Sequence, residues 1–298
     1  MKFLLVGGGR RNQLCLYMLE KNIQVHSYEL DINSPISLYS SRVIQGKTWK
    51  DKNLKNDLLK LSSDYDLIIP LMDEATKILS ELNLKNVCAS NFKTTNLCLN
   101  KKIFENYFLS DNDLRKYYPI PDGSEVVVKP VNGFSSIGIT FMNNSPKISK
   151  DYVVQKRIYG QEYSVDCFCD ENNNLVDFVP RKRIKVSSGE VIESVTVSKN
   201  KFEEIVGMII KKIPFKGPIC IQFIEDENEN LWIMEINARM GGGSTLSIAA
   251  GLDIIELMIS CFCNKNFLIE KYQSNWKTNF YLKRFYLDYC YEDKKICI

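Results

Sequence analysis

Three oxygen-bearing side chains stand out against an apolar background near residue 230. Ile219-Cys220-Ile221-Gln222-Phe223-Ile224 reads as a strand, Glu225 to Asn230 as an acidic turn, and Leu231-Trp232-Ile233-Met234-Glu235-Ile236-Asn237 as the return strand. A turn centred on residues 228 and 229 sets Gln222 opposite Glu235 and Cys220 opposite Asn237. The two-residue period then puts Glu235 and Asn237 on one face. A buried carboxylate without a partner costs free energy. A hard divalent cation supplies a partner: Mg²⁺ takes oxygen ligands in octahedral geometry, some of them from substrate phosphates. A Glu235–Arg239 pair pointing past the strand end is the competing arrangement. The run Arg239-Met240-Gly241-Gly242-Gly243-Ser244 favours the metal, because three glycines ahead of a helix expose amides of the kind that bind anions.

Two further stretches carry chemistry. In Val126-Val127-Val128-Lys129-Pro130-Val131-Asn132-Gly133-Phe134-Ser135-Ser136-Ile137-Gly138, a strand delivers a lysine and a Gly/Ser loop leads into another strand. Small residues let backbone amides approach phosphate oxygens, and the lysine adds a point charge. It is not a Walker A loop, since no GK[ST] follows and no helix opens there. In Val153 to Asp166, an extended segment through Gln155-Lys156-Arg157-Ile158 offers backbone groups to a base edge, and Glu162 could accept from ribose hydroxyls. Taken alone, that segment also reads as a plain strand–turn–strand.

The elements that position these groups fall into two textures. The first ninety residues alternate strand and helix: strands at Lys2–Val6, Val25–Glu29, Leu67–Pro70 and Asn86–Ala89, with helical spacing at Asn12–Lys21, Leu54–Leu61 and Ala75–Leu82. Such alternation argues a parallel sheet with covering helices. Gly7-Gly8-Gly9-Arg10-Arg11-Asn12 sits between the first strand and helix but lacks the last glycine of a dinucleotide fingerprint, so it reads as a tight turn or substrate-facing loop. Beyond Ser90, a helix at Asn100–Phe108 precedes strands at Val126–Lys129, Gly138–Met142, Val153–Arg157, Tyr163–Cys169 and Leu175–Pro180, and a helix at Lys199–Ile213.

Composition narrows the function classes. The chain has 298 residues, 45% hydrophobic and 25% charged, an ordinary globular balance that allows one large or two to three small domains at roughly 100–200 residues each. A net charge of +3 is too small to argue for nucleic acid. No apolar run reaches the roughly 18 residues of a membrane span; Leu252 to Cys263 is broken by Asp253, Glu256 and Ser260. No secretory leader pattern opens the chain, and a cytoplasmic location is expected. The ten cysteines contain no CxxC pair, so they read as buried reduced thiols, with Cys167 and Cys169 on one strand face. A single histidine, His26, leaves little room for histidine-based nucleophilic catalysis.

Lysine, glycine loop, hinge with a glutamate, the basic run Arg181-Lys182-Arg183, then Gln…Glu-x-Asn-x-Arg: in this order the motifs resemble the ATP-grasp superfamily. The nearest subgroup is similar to the carbamoyl-phosphate synthetase large subunit and the carboxylate–amine ligases built on it. The resemblance runs from Met1 to Ile259, with Glu235-Ile236-Asn237-Ala238-Arg239 its most specific part. It implies an α/β (α+β) fold: a Rossmann-like pre-ATP-grasp domain over residues 1–92, a small subdomain over 93–157 with the lysines and glycine loop, and a subdomain over 158–298 with the metal site, the last two clasping the nucleotide. It also implies roles. Lys101 and Lys129 match the nucleotide lysines. Gly133, Ser135 and Ser136, in the loop to Gly138, match the flap over the β- and γ-phosphates. Gln155, Lys156, Arg157 and Ile158 match the adenine hinge and Glu162 the ribose ligand. Gln222, Glu235 and Asn237 match the Mg²⁺ ligands, Arg239 the arginine near the transferred phosphoryl group, and Arg181 and Arg183 a basic strand beside the phosphates and the acid substrate. Gln222 departs from the commoner carboxylate and lowers the negative charge of a two-metal site. The hinge is unusually basic.

The implied reaction is ATP-dependent joining of a carboxylate to an amine, with release of ADP and phosphate. Phosphorylating a carboxylate turns a poor acylating agent into an acyl phosphate that an amine can attack. Such phosphoryl transfer asks the protein for positioning and charge neutralisation. The implied cofactors are ATP and Mg²⁺, as two ions, with Mn²⁺ as substitute. The implied partners are a small-molecule carboxylate and amine and a second copy of the chain, with neither nucleic acid nor membrane. Loops after Gly7 and around Asp73-Glu74, and the glycine run after Arg239, are candidate substrate contacts. A kinase-like phosphotransferase and a non-catalytic nucleotide-binding protein are the alternatives.

Overall fold

A computed structural model describes residues 1–133, 138–143, 149–263 and 272–290. The N-terminal unit is built on β1 (Lys2–Val6), whose four last residues are fully buried. It lies between β2 (Gln24–Glu29) and β4 (Leu67–Pro70), and β3 (Arg42–Gln45) adds to β2, giving a parallel sheet of order β3-β2-β1-β4. Continuous apolar strands such as β1 and β4 suit a sheet covered on both faces. Helices α1 (Asn12–Glu20), α2 (Leu54–Ser62) and α3 (Asp73–Leu82) supply that cover. The expected strand at Asn86–Ala89 reduces to one bridge, Val87 with Ile68. Its first residue is committed elsewhere: the Asn86 side chain donates to the carbonyls of Ser62 and Tyr65, both at 2.8 Å.

Helices α4 (Phe92–Leu99) and α5 (Lys101–Ser110) follow, then the single turn α6 (Asn112–Arg115). Each starts on a side-chain cap. The Asn91 oxygen accepts from the Thr94 amide at 2.9 Å, and the Asn100 oxygen from the amides of Lys102 and Ile103 at 3.0 Å. The small sheet is antiparallel, of order β6-β5-β7, from β5 (Val126–Pro130), β6 (Thr140–Met142) and β7 (Tyr152–Lys156).

The large antiparallel sheet has the order β12-β11-β8-β9-β10-β13. Strand β8 (Gln161–Cys169) pairs with β9 (Leu175–Ser187), which runs well past its expected end at Pro180. It continues because Ser188 and Gly189, both at positive φ, make a tight hairpin turn into β10 (Glu190–Thr196). Helix α7 (Glu203–Lys212) leads to β11 (Gly217–Glu225) and β12 (Leu231–Asn237). Helices α8 (Ser244–Ala250) and α9 (Ile254–Phe262) and the edge strand β13 (Tyr281–Lys283) close the order.

One irregularity decides the phase of the β11–β12 hairpin. Gln222 pairs with Glu235 and Cys220 with Asn237, as expected, but Phe223 pairs with Ile233 and Glu225 with Leu231. Met234 is therefore the extra residue of a bulge, and the turn is one residue tighter than the sequence suggested. The Asp226 side chain tightens it by accepting from the amides of Asn228 and Asn230, both at 2.9 Å, with Glu229 in the left-handed region. Without the bulge every β12 side chain beyond it would change face.

Two cores hold the halves together. One packs α5, α7 and the face of the large sheet carrying Val165, Cys167, Ile221 and Ile233. The other joins β1, β4 and α1 of the N-terminal unit to Phe168, Val179, Met240 and α9. The apolar run at Leu252–Cys263 is thus largely α9, with seven buried residues, and no single helix among the described residues is long and apolar enough to cross a membrane. Cys167 and Cys169 share a core face, and Cys15, Cys88, Cys98, Cys167, Cys169, Cys220, Cys261 and Cys290 are free thiols.

Asp166, at the centre of β8, ties three elements together from a fully buried position. Its two oxygens accept from Arg181 of β9 (Nε, 2.7 Å; Nη2, 3.0 Å) and from the hydroxyls of Ser244 (2.8 Å) and Ser247 (2.5 Å) on α8. Removing one member of a buried ion pair strands the other charge. Asp166→Ala is expected to lose roughly 3–5 kcal/mol of stability, read from urea unfolding; a loss below about 1 kcal/mol, the scale of an exposed pair, would contradict it.

Candidate functional site

Lys101 and Lys129 both lie in the field of Glu235 on the β11–β12 hairpin. Lys129 ends the apolar strand β5 and is buried. Burial drives its ammonium down to about 8; Glu235 opposes that shift and Lys101 adds to it. Lys101 opens α5, where a cation works against the helix dipole, so helix stability does not explain its presence. Its amide donates to the Val131 carbonyl at 3.1 Å, its Nζ donates to the Gly133 carbonyl, and burial lowers its pKa against the pull of Glu235 and Asp73. Lys101 and Lys129 thus share the field of Glu235, and Lys101 also holds Gly133. Ser135 and Ser136 lie outside the described residues.

On the hairpin, the Asn237 amide donates to Glu235 Oε1 at 3.2 Å. Gln222 Oε1 accepts from Arg183 Nη1 at 3.0 Å, and Arg183 Nε lies 3.2 Å from Glu162 Oε2. The expected ribose ligand and the first expected metal ligand therefore share one guanidinium. The donor set fits a hard cation in kind, three oxygens on one strand pair, but holds a single carboxylate. Among the described residues no three acidic, histidine or cysteine side chains cluster as a metal cage. Such a set suits a Mg²⁺ whose remaining ligands are phosphate oxygens and water.

Arg239 does not take the competing pairing with Glu235. It reaches across to the N-terminal unit and grips Asp73, in the first turn of α3, through Nε (2.7 Å) and Nη2 (2.9 Å); Nη2 also reaches Asn237 Oδ1 at 3.2 Å. Burial would lower this guanidinium, but Asp73 overrides it and raises the pKa. Arg181 is 1% exposed and closed on Asp166, so its guanidinium faces the protein interior rather than an open site.

The glycine run behaves differently from expectation. Its carbonyls face cations: Gly241 O accepts from Arg11 Nη1 at 2.6 Å, and Gly242 O from Arg284 Nη2. The N-terminal glycine turn is filled from within. Glu29, at the end of β2, accepts from the Gly8 amide at 2.6 Å and the Gly9 amide at 3.1 Å, and Ile36 packs where a Gly8 side chain would go. The protein's own carboxylate thus occupies the amides that a dinucleotide phosphate would use.

At the hinge, Gln155 is buried within β7, with no hydrogen-bond partner for its Oε1. Lys156 pairs with Asp122 at 2.7 Å. Arg157 lies 3.4 Å from Glu125 and against the rings of Phe141 and Tyr159. Lys156, Arg157 and Ile158 line, with Gly160 and Trp232, an open cavity of about 820 Å³ that none of Lys129, Glu235 and Arg239 lines. The basic hinge that looked unusual in sequence is neutralised by the segment before β5. His26 sits apart from all of this, buried against Tyr65 at 2.9 Å.

The fold recurs in solved structures. N5-carboxyaminoimidazole synthetase from Staphylococcus aureus, complexed with ADP, superposes with a TM-score of 0.69 at 17% identity, covering 90% of this chain and 78% of that one. The biotin carboxylase domain of 2-oxoglutarate carboxylase from Hydrogenobacter thermophilus, with MgADP and bicarbonate, gives 0.70 at 16% identity, covering 94% and 73%. The chain has an ATP-grasp fold. An L-amino acid ligase from Bacillus licheniformis shares this ATP-grasp architecture at a TM-score of 0.65 and 15% identity, covering 88% and 74%. Residues 149–283 match the family described as ATP-grasp in the biosynthetic pathway with Ter operon. D-alanine–D-alanine ligase from Buchnera aphidicola subsp. Schizaphis graminum is 26% identical over 136 residues, 39% of this chain and 44% of that protein, so the match spans under half the length of the relative.

Asp73, Asp166 and Arg11 are the site residues that motif reading missed or placed only vaguely. Their partners lie from 60 to 230 residues away in sequence, apart from the Asp166–Arg181 pair. Lys129 gives a direct test of the site's electrostatics. A lysine whose folded pKa is depressed costs stability at neutral pH, and the cost is relieved as pH rises from about 8 towards the unfolded value of 10.5. Lys129→Met should therefore stabilise the nucleotide-free protein at pH 7, by roughly 3 kcal/mol, and the gain should shrink by pH 10. Urea unfolding at the two pH values measures it, and a destabilised variant at pH 7 would contradict it.

Proposed function

We propose that the protein is an ADP-forming, ATP-dependent ligase that joins a small-molecule carboxylate to an amine through an acyl phosphate. The observation that carries this reading is that Lys101 and Lys129 share the field of Glu235, beside the Asn237 and Gln222 oxygens. Two cations and an oxygen-donor set at one point suit a polyphosphate and its metal. The ADP and MgADP bound by the S. aureus and H. thermophilus structures of the same fold support the nucleotide.

Lys129, depressed to about 8, still carries its proton at pH 7, and phosphate oxygens would replace its lost solvation, so it neutralises charge where charge develops. Lys101 holds the start of the glycine loop through Gly133, which couples phosphate binding to the loop's position. Glu235, Asn237 and Gln222 would hold Mg²⁺, which supplies charge neutralisation along the phosphates. Gln155 to Ile158 would face the adenine and Glu162 the ribose. Arg183 bridges Glu162 and Gln222, so it orients both ends of the nucleotide site. Arg181 acts as a positioning residue through Asp166. Arg239, released in part from Asp73, would reach the transferred phosphoryl group. Divisions near residues 92 and 157, a homodimer, and a cytoplasmic location complete the proposal.

Purified protein would be incubated with Mg-ATP, hydroxylamine and pooled carboxylic acids, and ADP, AMP and hydroxamate quantified. ADP with hydroxamate is the expected outcome. AMP with hydroxamate would point to adenylation and overturn the mechanism, and ADP alone would favour a kinase. Glu235→Ala should lose Mg²⁺-dependent ADP release by at least about 100-fold, the scale of a lost electrostatic contributor, with an unchanged urea midpoint; full activity would remove Glu235 from the site.

A further inference from the structure

The Gly7-Gly8-Gly9-Arg10-Arg11 turn takes no part in the nucleotide site, yet it delivers two arginines to the glycine run. Arg11 is partly buried. Among the described residues its guanidinium donates to carbonyls, Gly241 O at 2.6 Å and Leu71 O at 3.4 Å, and makes no salt bridge. Arg284, just past β13, donates to Gly242 O and lies 3.4 Å from Glu190. Arg10 lies 3.7 Å from the same Glu190. Arg181 and Arg239 border the cluster, but Asp166 and Asp73 already hold them. Among the described residues, five guanidiniums therefore share the three carboxylates that pair with them, Glu190, Asp166 and Asp73.

The excess positive charge acts on its members. Burial and the fields of Arg239 and Arg284 push Arg11 down to about 10, and burial with the fields of Arg181 and Arg10 lowers Arg284 against the pull of Glu190. Glu190 and Asp166 oppose the shift of Arg11 but do not offset it, so this cation, held by carbonyls beside other cations, is short of counter-charge. The space for one is present. Gly242 is exposed, and a Cβ placed there would stand 3.9 Å from Arg11 Nη1, in ordinary contact, so the missing side chain leaves the guanidinium face open.

We propose that Arg11 and Arg284, with Arg10 at the rim, form a subsite for an oxyanion group of the substrate, separate from the carboxylate that is phosphorylated. The substrate class is then a small acid or amine with a second anionic group, either a carboxylate or a phosphate monoester. The planar forks of two arginines read such groups through paired hydrogen bonds. This rests on the ligase reading for the word substrate, but the subsite itself stands on charge and geometry alone.

The full chain would be titrated calorimetrically with inorganic phosphate and, separately, with succinate, at ionic strength fixed with sodium chloride. MgADP binding is measured in parallel. Saturable binding of one or both anions is expected, weakened about tenfold or more in Arg11→Gln and again in Arg284→Gln, while both variants keep wild-type MgADP affinity. Preference for phosphate would assign a phosphorylated substrate and preference for succinate a dicarboxylate. Absence of saturable binding for both anions, or binding unchanged in the two variants, would overturn the subsite. Loss of MgADP binding in the wild type would overturn the ligase reading without touching the anion result. Arg284 lies at an edge strand, so its variant keeps the test readable even if Arg11→Gln fails to fold.

Discussion

A buried arginine persists only where a carboxylate meets it, and in this chain that carboxylate also fixes the geometry of the site. Asp166 satisfies Arg181 with both oxygens and still accepts from Ser244 and Ser247. Central sheet, neighbouring strand and α8 are thereby locked to one point. The glycine run lies between those anchors, with Gly241 against Cys220 and Asp166, and Gly243 against the Arg181 guanidinium. A side chain at either glycine would collide with the pair. The small residues near the site therefore reflect close packing around a buried charge as much as access for a ligand.

The Asp73–Arg239 fork plays the corresponding part between units. It joins the start of α3 to the end of β12 and keeps Arg239 from neutralising Glu235. Glu235 stays available to the lysines and to a cation, and it keeps a hydrogen bond from Asn237 alone among its near neighbours in the hairpin. Glu29 does similar work at the other end of the N-terminal unit. By filling the Gly8 and Gly9 amides it makes a nucleotide-like turn into a support from which Arg11 reaches the glycine run and Arg10 reaches Glu190.

Local features were legible in the sequence. The hairpin could be read from residue alternation, Lys129 from its place at a strand end, and the parallel unit from strand–helix alternation. The Gln222–Glu235 pairing was right for a partly wrong reason: the turn is one residue shorter than expected, and the bulge at Met234 restores the phase. Bulges leave no clear mark in a hydrophobic pattern. Strand β10 was missed because its turn, Ser188-Gly189, follows a charged stretch of β9 whose alternating Ile184 and Val186 are exposed rather than set in a core. The arginine network was out of reach for a different reason. Arg11 meets Gly241 across 230 residues and Arg239 meets Asp73 across 166, and no periodicity encodes such pairs.

That same separation bears on how the protein assembles. The β11–β12 hairpin is made of contacts close in sequence, and such contacts form early and fast. The Asp73–Arg239 fork closes a loop spanning 166 residues, and loop-closure entropy places such contacts late. A chain that has folded its large sheet but not yet seated α3 would carry Arg239 free beside Glu235. The two would be drawn together, so the ligand-binding hairpin would rest in a self-neutralised state until the N-terminal unit docks and Asp73 withdraws the arginine. Docking of the first-synthesised unit would thus be the step that turns a finished hairpin into a charged, ligand-ready one.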